Sequence, residues 1–146
     1  MNSFVQLFER DLDKLIDELN NFKKEKSLWI VAGEINNSAG NLTLHLIGNL
    51  NHFIGSVIGK SGYRRKRDQE FSDKNIPKAE LLDMVRDTKG VIKESLSRIG
   101  DTKLHKQYPI DVFGKEMTYE YFLIHLVGHL NYHLGQINYL RRILQL

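Results

Sequence analysis

The 146-residue sequence contains no cysteine. That excludes thiolate metal ligation, a cysteine nucleophile and a disulfide scaffold together, so any metal here must be held by imidazole, carboxylate or water. Long hydrophobic runs are missing too, since no stretch approaches the ~18 apolar residues that cross a bilayer. The opening MNSFVQLFERDLDKL mixes charge into an amphipathic pattern and lacks a signal peptide's apolar centre, so a soluble, cytoplasmic protein with no membrane partner is expected. One-sided charge is also scarce. The net charge is only +3 and comes largely from one loop, which has just Tyr63 and Phe71 among its basic residues. Both features argue against a nucleic-acid partner. Strand-like alternation is nearly absent. There is no internal repeat, low-complexity tract or composition break, and 146 residues suffice for one domain, 1–146, with its own core.

What is present is helical periodicity. Phe4, Leu7, Phe8, Leu12, Leu15, Ile16, Leu19 and Phe22 recur at helical spacing from about Ser3 to Glu25. A second helix opens at Ser38, a good N-cap, and continues through NLTLHLIGNLNHFIGSVIG to the region of Gly59. A third begins with Pro77 in its first turn and ends before Gly100. The fourth starts near Thr118 and runs to the C-terminus. Between the last two, QYPIDVFGKEM alternates around Phe113-Gly114 and can give a small hairpin. Four helices with no sheet to cover predict an all-α, antiparallel four-helix bundle.

Five of the six histidines lie in two of these apolar helices. His125, His129 and His133 follow one another at intervals of four, so they share one side of the last helix, each a turn above its predecessor. Two imidazoles so spaced can close on one metal ion. His129 and His133 are the pair, and either His45 or His52 of the second helix can supply a third ligand. The same histidines admit an ordinary reading as packed imidazoles bonded to neighbouring carbonyls, and residue chemistry alone does not choose between the two. Gly48, Gly55, Gly128 and Gly135 are candidate close-packing positions between helices.

The segment HLNYHLGQINYLRRIL resembles the closing helix of the DinB-like (YfiT-like) superfamily. The resemblance rests on His129, His133, Gly135, Gln136 and Ile137, on LTLHLIGNLNHFIG in helix two, and on RRKRDQEF followed by a Pro-led helix. It extends over essentially the whole chain. It implies a four-helix fold and a divalent-metal site of three histidines completed by solvent, with His45 the best match for the helix-two ligand and His52 in reserve. Three imidazoles suit zinc, nickel and iron, and zinc or nickel is the expectation. The resemblance further implies a homodimer and a metal-dependent enzyme of the thiol-dependent transferase or hydrolase type, acting on a small molecule. With no cysteine in the chain, the thiol of a transferase would come from a low-molecular-weight cosubstrate. The alternative is a non-catalytic dimeric helical protein whose histidines are structural or whose metal only braces the bundle.

Other residues are assigned more briefly. Arg65 and Arg67 are candidate substrate contacts, set against the reading of a solvated basic loop in which Asp68 and Glu70 pair locally. GKSG lacks the spacing of a phosphate-binding loop. Asn49 and Asn131 are candidate orienters of histidine ring nitrogens. His125 is placed in the core or bonded to a ligand, His105 in an exposed connection, and Tyr132 and Tyr139 against a neighbouring helix or subunit. No carboxylate stands out as a general base beside the histidines.

Overall fold

A computed structural model describes residues 3–145; Met1, Asn2 and Leu146, the end of the predicted last helix, lie outside the described residues. Helix α1 (Ser3–Asn21) buries Val5, Phe8, Leu12, Leu15 and Leu19, the one-faced spacing read from the sequence. It ends four residues before Glu25, and the chain then makes a 3-10 turn, Glu25–Trp29, that places Leu28 in the core.

Ser38 caps α2 (Ala39–Leu50): its Oγ accepts the Asn41 backbone N–H at 3.1 Å. Every residue of α2 is buried, which makes it the central helix of the bundle. The predicted continuation towards Gly59 changes type, because Asn51–Ser56 forms a π-helical turn. Such wide turns recur beside functional sites. Asn51 Nδ2 reinforces this one by donating to Ile47 O at 2.9 Å and to Thr88 Oγ1 at 2.8 Å.

Helix α3 (Arg67–Ser72) is a short element the sequence did not announce. Helix α4 (Lys78–Ser97) follows, with Pro77 at its N-cap rather than inside its first turn. After the four-residue α5 (Asp101–Leu104) comes α6 (Tyr119–Leu144), capped by Thr118, whose Oγ1 accepts the Tyr121 N–H at 3.1 Å. Helix α1 packs on α4 and α6, and α2 meets α3, α4 and α6, so the fold is the expected helical bundle.

The small hairpin does not form. Among the described residues there is no strand, only an isolated antiparallel bridge between Gln107 and Thr118. Beyond that bridge the chain closes a local turn instead of a ladder, the Gly114 N–H donating to Asp111 Oδ1 at 2.6 Å. Tyr108 anchors the loop instead: it is 2% exposed, its N–H donates to Met117 O at 2.8 Å, and its hydroxyl donates to Phe53 O at 2.6 Å. No helix among the described residues is long and apolar enough to cross a membrane.

Candidate metal centre

His45 projects from the middle of α2, while His129 and His133 project one turn apart from α6. His45 Nε2 and His129 Nε2 lie 3.1 Å apart, and so do His133 Nε2 and His129 Nε2. His45 is 7% exposed and the other two are half-buried. Among the described residues, these three form the group whose ligand atoms all fall within 4.8 Å of one another, with no carboxylate or fourth imidazole in it.

The outer ring nitrogens explain which way the lone pairs face. His45 Nδ1 is 3.0 Å from Glu70 Oε1. An ionised carboxylate only accepts, so Nδ1 carries the proton and Nε2 presents its lone pair inward. His133 Nδ1 donates to Gln136 Oε1 at 2.7 Å, with the same consequence, the amide orientation being assigned from the hydrogen-bond network. His129 Nε2 faces both of these nitrogens, yet one ring nitrogen holds either one proton or one lone pair. As neutral imidazoles the three therefore cannot satisfy both contacts, and a cation among the lone pairs can. The separation agrees, since tetrahedral zinc at about 2.0–2.1 Å from each nitrogen places them ~3.3 Å apart. The donor set fits a divalent ion.

For His129 and His133, burial favours the neutral ring. Burial, reinforced by the neighbouring His133, His45, His125 and Arg65, pushes His129 down to about 3. Burial also lowers His133, against the opposing pull of the Gln136 hydrogen bond.

Glu70 is the functional group that sequence reasoning missed. It lies on α3, is 6% exposed, and joins His45 to Arg65, whose Nε and Nη2 donate to its two oxygens at 2.8 and 2.9 Å. Burial alone would raise the Glu70 carboxyl, but hydrogen bonds from His45 and Arg65 outweigh it and hold the group below the ordinary carboxylate range. Two features of α2 position it. Asn41 Nδ2 donates to Glu70 O at 3.0 Å and to Asp73 O at 2.8 Å, fastening the C-terminal half of α3. Gly48 leaves the space, because a Cβ there would sit 1.9 Å from Glu70 Oε2. The carboxylate belongs to a segment read as a solvated basic loop. Its only sequence signal, an acidic residue five after an arginine, is shared by many solvated loops.

The remaining candidates fall outside the group. His52 sits in the π turn, ~10 Å further along the helix axis than His45, and packs edge-on against Phe53 with ring centroids 4.7 Å apart. Burial and then the Arg65 charge lower it, with Glu70 opposing. His125 is exposed and stacks over Phe122 at 5.8 Å and His129 at 6.2 Å, so it belongs to the rim and not to the core. Arg65 is engaged with Glu70, whereas Arg67 is exposed over the Phe71 ring, itself 5.0 Å from that of His45. Asn131 does not orient a histidine, since its Nδ2 donates to Asp11 Oδ2 at 2.6 Å and to Val127 O at 2.9 Å. Asn49 Oδ1 and His129 Nδ1 are buried without partners. His105 is exposed, as expected. Gly55 is a close-packing position against Val91, but Gly128 and Gly135 face open space.

The match to a family described as protein of unknown function (DUF1572) extends over residues 2–146. None of the curated proteins matches the chain. Two solved structures share the fold. A DinB-like protein from Bacillus cereus aligns with a TM-score of 0.77 at 21% identity, over 97% of this chain and 91% of that one. A conserved protein from Enterococcus faecalis aligns with a TM-score of 0.71 at 15% identity, over 97% and 96%. At these identities the likeness speaks for the fold. The chain belongs to the DUF1572 family, and its helical bundle is a DinB-like fold.

Proposed function

We propose that this chain is a divalent-metal-dependent enzyme, of the thiol-dependent transferase or hydrolase type, with His45, His129 and His133 as its metal ligands. One observation carries the reading: three Nε2 atoms meet within 4.8 Å, and the Nδ1 protons of His45 and His133 are held outward by Glu70 and Gln136. A divalent ion bound there, zinc or nickel by its all-imidazole donors, would make a bound water or thiol more acidic and polarise a substrate oxygen.

The protein groups have separable tasks. Glu70 fixes the His45 ring and strengthens it as a donor, and Arg65 neutralises the buried carboxylate. Both Glu70 oxygens are occupied, so it serves as a positioning group and not as a free base. A group of three protein donors favours an open position over a bracing site closed by protein. Arg67, exposed beside Phe71, is placed to meet an anionic group on a small substrate.

Elemental analysis of protein never exposed to nickel resin tests the reading. Near-stoichiometric metal is expected in wild type and in His52→Ala, with loss in His45→Ala and His129→Ala. Those results would justify assays with low-molecular-weight thiols and hydrolysable substrates. A wild-type protein that holds no metal and takes up none when several divalent ions are offered would overturn the proposal.

A further inference from the structure

Two of the three candidate ligands have an outer partner, and the third has none. Glu70 takes the Nδ1 proton of His45 and Gln136 that of His133, but His129 Nδ1 is buried without a partner. A ligating histidine almost always offers its second ring nitrogen to a polar neighbour, which fixes the ring and its proton. A second orphan lies on α2. Asn49 is 7% exposed, and its Oδ1 is likewise buried and unpartnered. Buried polar atoms are rarely left in that condition, and here two of them sit on facing helices.

The packing turns the two orphans toward one another. His45 meets His129 and His133, and Phe53 meets Phe122 with ring centroids 5.0 Å apart, so α2 and its π turn run antiparallel to α6. Asn49 comes one turn after His45 and one turn before Phe53. At about 100° per residue it points between those two side chains, both of which face α6. Its level on α6 therefore lies between Phe122 and His129. The His129 side chain leans toward the start of its own helix, which is that same level. Gly48 faces Glu70 on α3 instead, and Asn51 reaches Thr88 on α4, so neither shares this face.

We propose that Asn49 is the positioning residue of His129, its amide meeting Nδ1 directly or through one water. The inference deepens the metal reading and rests on it. An amide suits this place better than a carboxylate, because the ring proton must change sides. In the metal-free protein His129 Nε2 faces the inward lone pairs of His45 and His133, each at 3.1 Å, so it carries the proton and donates. Nδ1 is then an acceptor, and the Asn49 NH2 supplies the donor. When Nε2 serves as a ligand, the single ring proton sits on Nδ1, and the Asn49 oxygen accepts it. One side chain serves both states by turning its amide over.

Nitrogen–proton correlation spectra of the histidine rings in metal-free protein, paired with zinc affinity from chelator competition, test the assignment. Wild type should show His129 protonated on Nε2. Asn49→Asp offers only acceptors at about pH 8, well above the usual carboxylate range. It should switch metal-free His129 to the Nδ1-protonated form and bind zinc at least as tightly as wild type. Asn49→Leu, similar in size and without polar atoms, should leave the proton on Nε2 and weaken zinc binding by about 10–100-fold. An amide that only packs would lower the urea midpoint in both variants and leave the ring proton where it was. An Asn49→Asp protein that keeps the Nε2 proton, or an Asn49→Leu protein that binds zinc like wild type, would overturn the proposal. If wild type takes up no metal, the metal reading fails by itself, and the proton position, read without metal, still decides the role of Asn49.

Discussion

Glu70 orders the candidate centre through His45, and its own place depends on a side chain that is absent opposite it. Replacing it by glutamine removes the charged acceptor that holds the His45 ring and leaves Arg65 partly unpaired. Glu70→Gln should weaken zinc binding by about 10–100-fold in a chelator competition. Unchanged affinity would show that the His45 ring needs no carboxylate. Gly48→Ala reaches the same contact from the other side, because the added methyl collides with Glu70 Oε2. It should lower both affinity and stability, the latter by about 1–3 kcal/mol, as overpacking of a filled interior does. The histidines were legible in the sequence because His129 and His133 lie on one helix at a fixed interval. The choice of His45 over His52 came from resemblance. Glu70 was not legible: it lies 25 residues from His45, and only the fold brings the two together.

Among the elements, α3 shows how a six-residue helix with no periodicity of its own is fixed by a neighbour. Asn41 is fully buried, its Nδ2 donates to Glu70 O and Asp73 O, and its Oδ1 accepts from Ser38 Oγ at 2.7 Å. Asn41→Ala strands these groups and should cost about 1–3 kcal/mol in urea unfolding. It should also lower zinc affinity, since Glu70 moves with α3; a variant losing stability alone would uncouple the two. Gly90 offers the opposite case. A Cβ there meets nothing within 4 Å, so Gly90→Ala should stabilise α4 by about 0.5–1 kcal/mol, seen as a raised melting temperature. The long helices, the cap at Ser38 and the start of α6 near Thr118 were readable because their signals are local. The π turn after Leu50 and the single bridge near Tyr108 were not, because contacts with Thr88 and Phe53 reinforce them.

Across the whole molecule, four histidines shift in one direction. His129, His133, His52 and His125 are all held below the ordinary value of 6.5, each chiefly by burial. The unfolded chain therefore binds protons that the folded chain refuses once pH drops below about 6.5, and stability falls there. For His129 the fall continues to about 3. Glu70, also lowered, adds stability that is present above its unfolded value and lost as pH falls through its folded one. Metal-free protein should thus unfold at lower urea at pH 5 than at pH 7.5. An equal or higher midpoint at pH 5 would contradict the neutral, buried histidines on which the metal reading depends.

The sequence by itself determined the helical class, the four long helices, the cap at Ser38, and the pairing of His129 with His133, because each rests on residues within a few turns of one another. Only the tertiary structure decided that His45 faces that pair and that Glu70 and Arg65 stand behind it. Those facts join residues tens of positions apart, and chain packing, not local spacing, sets which of them meet.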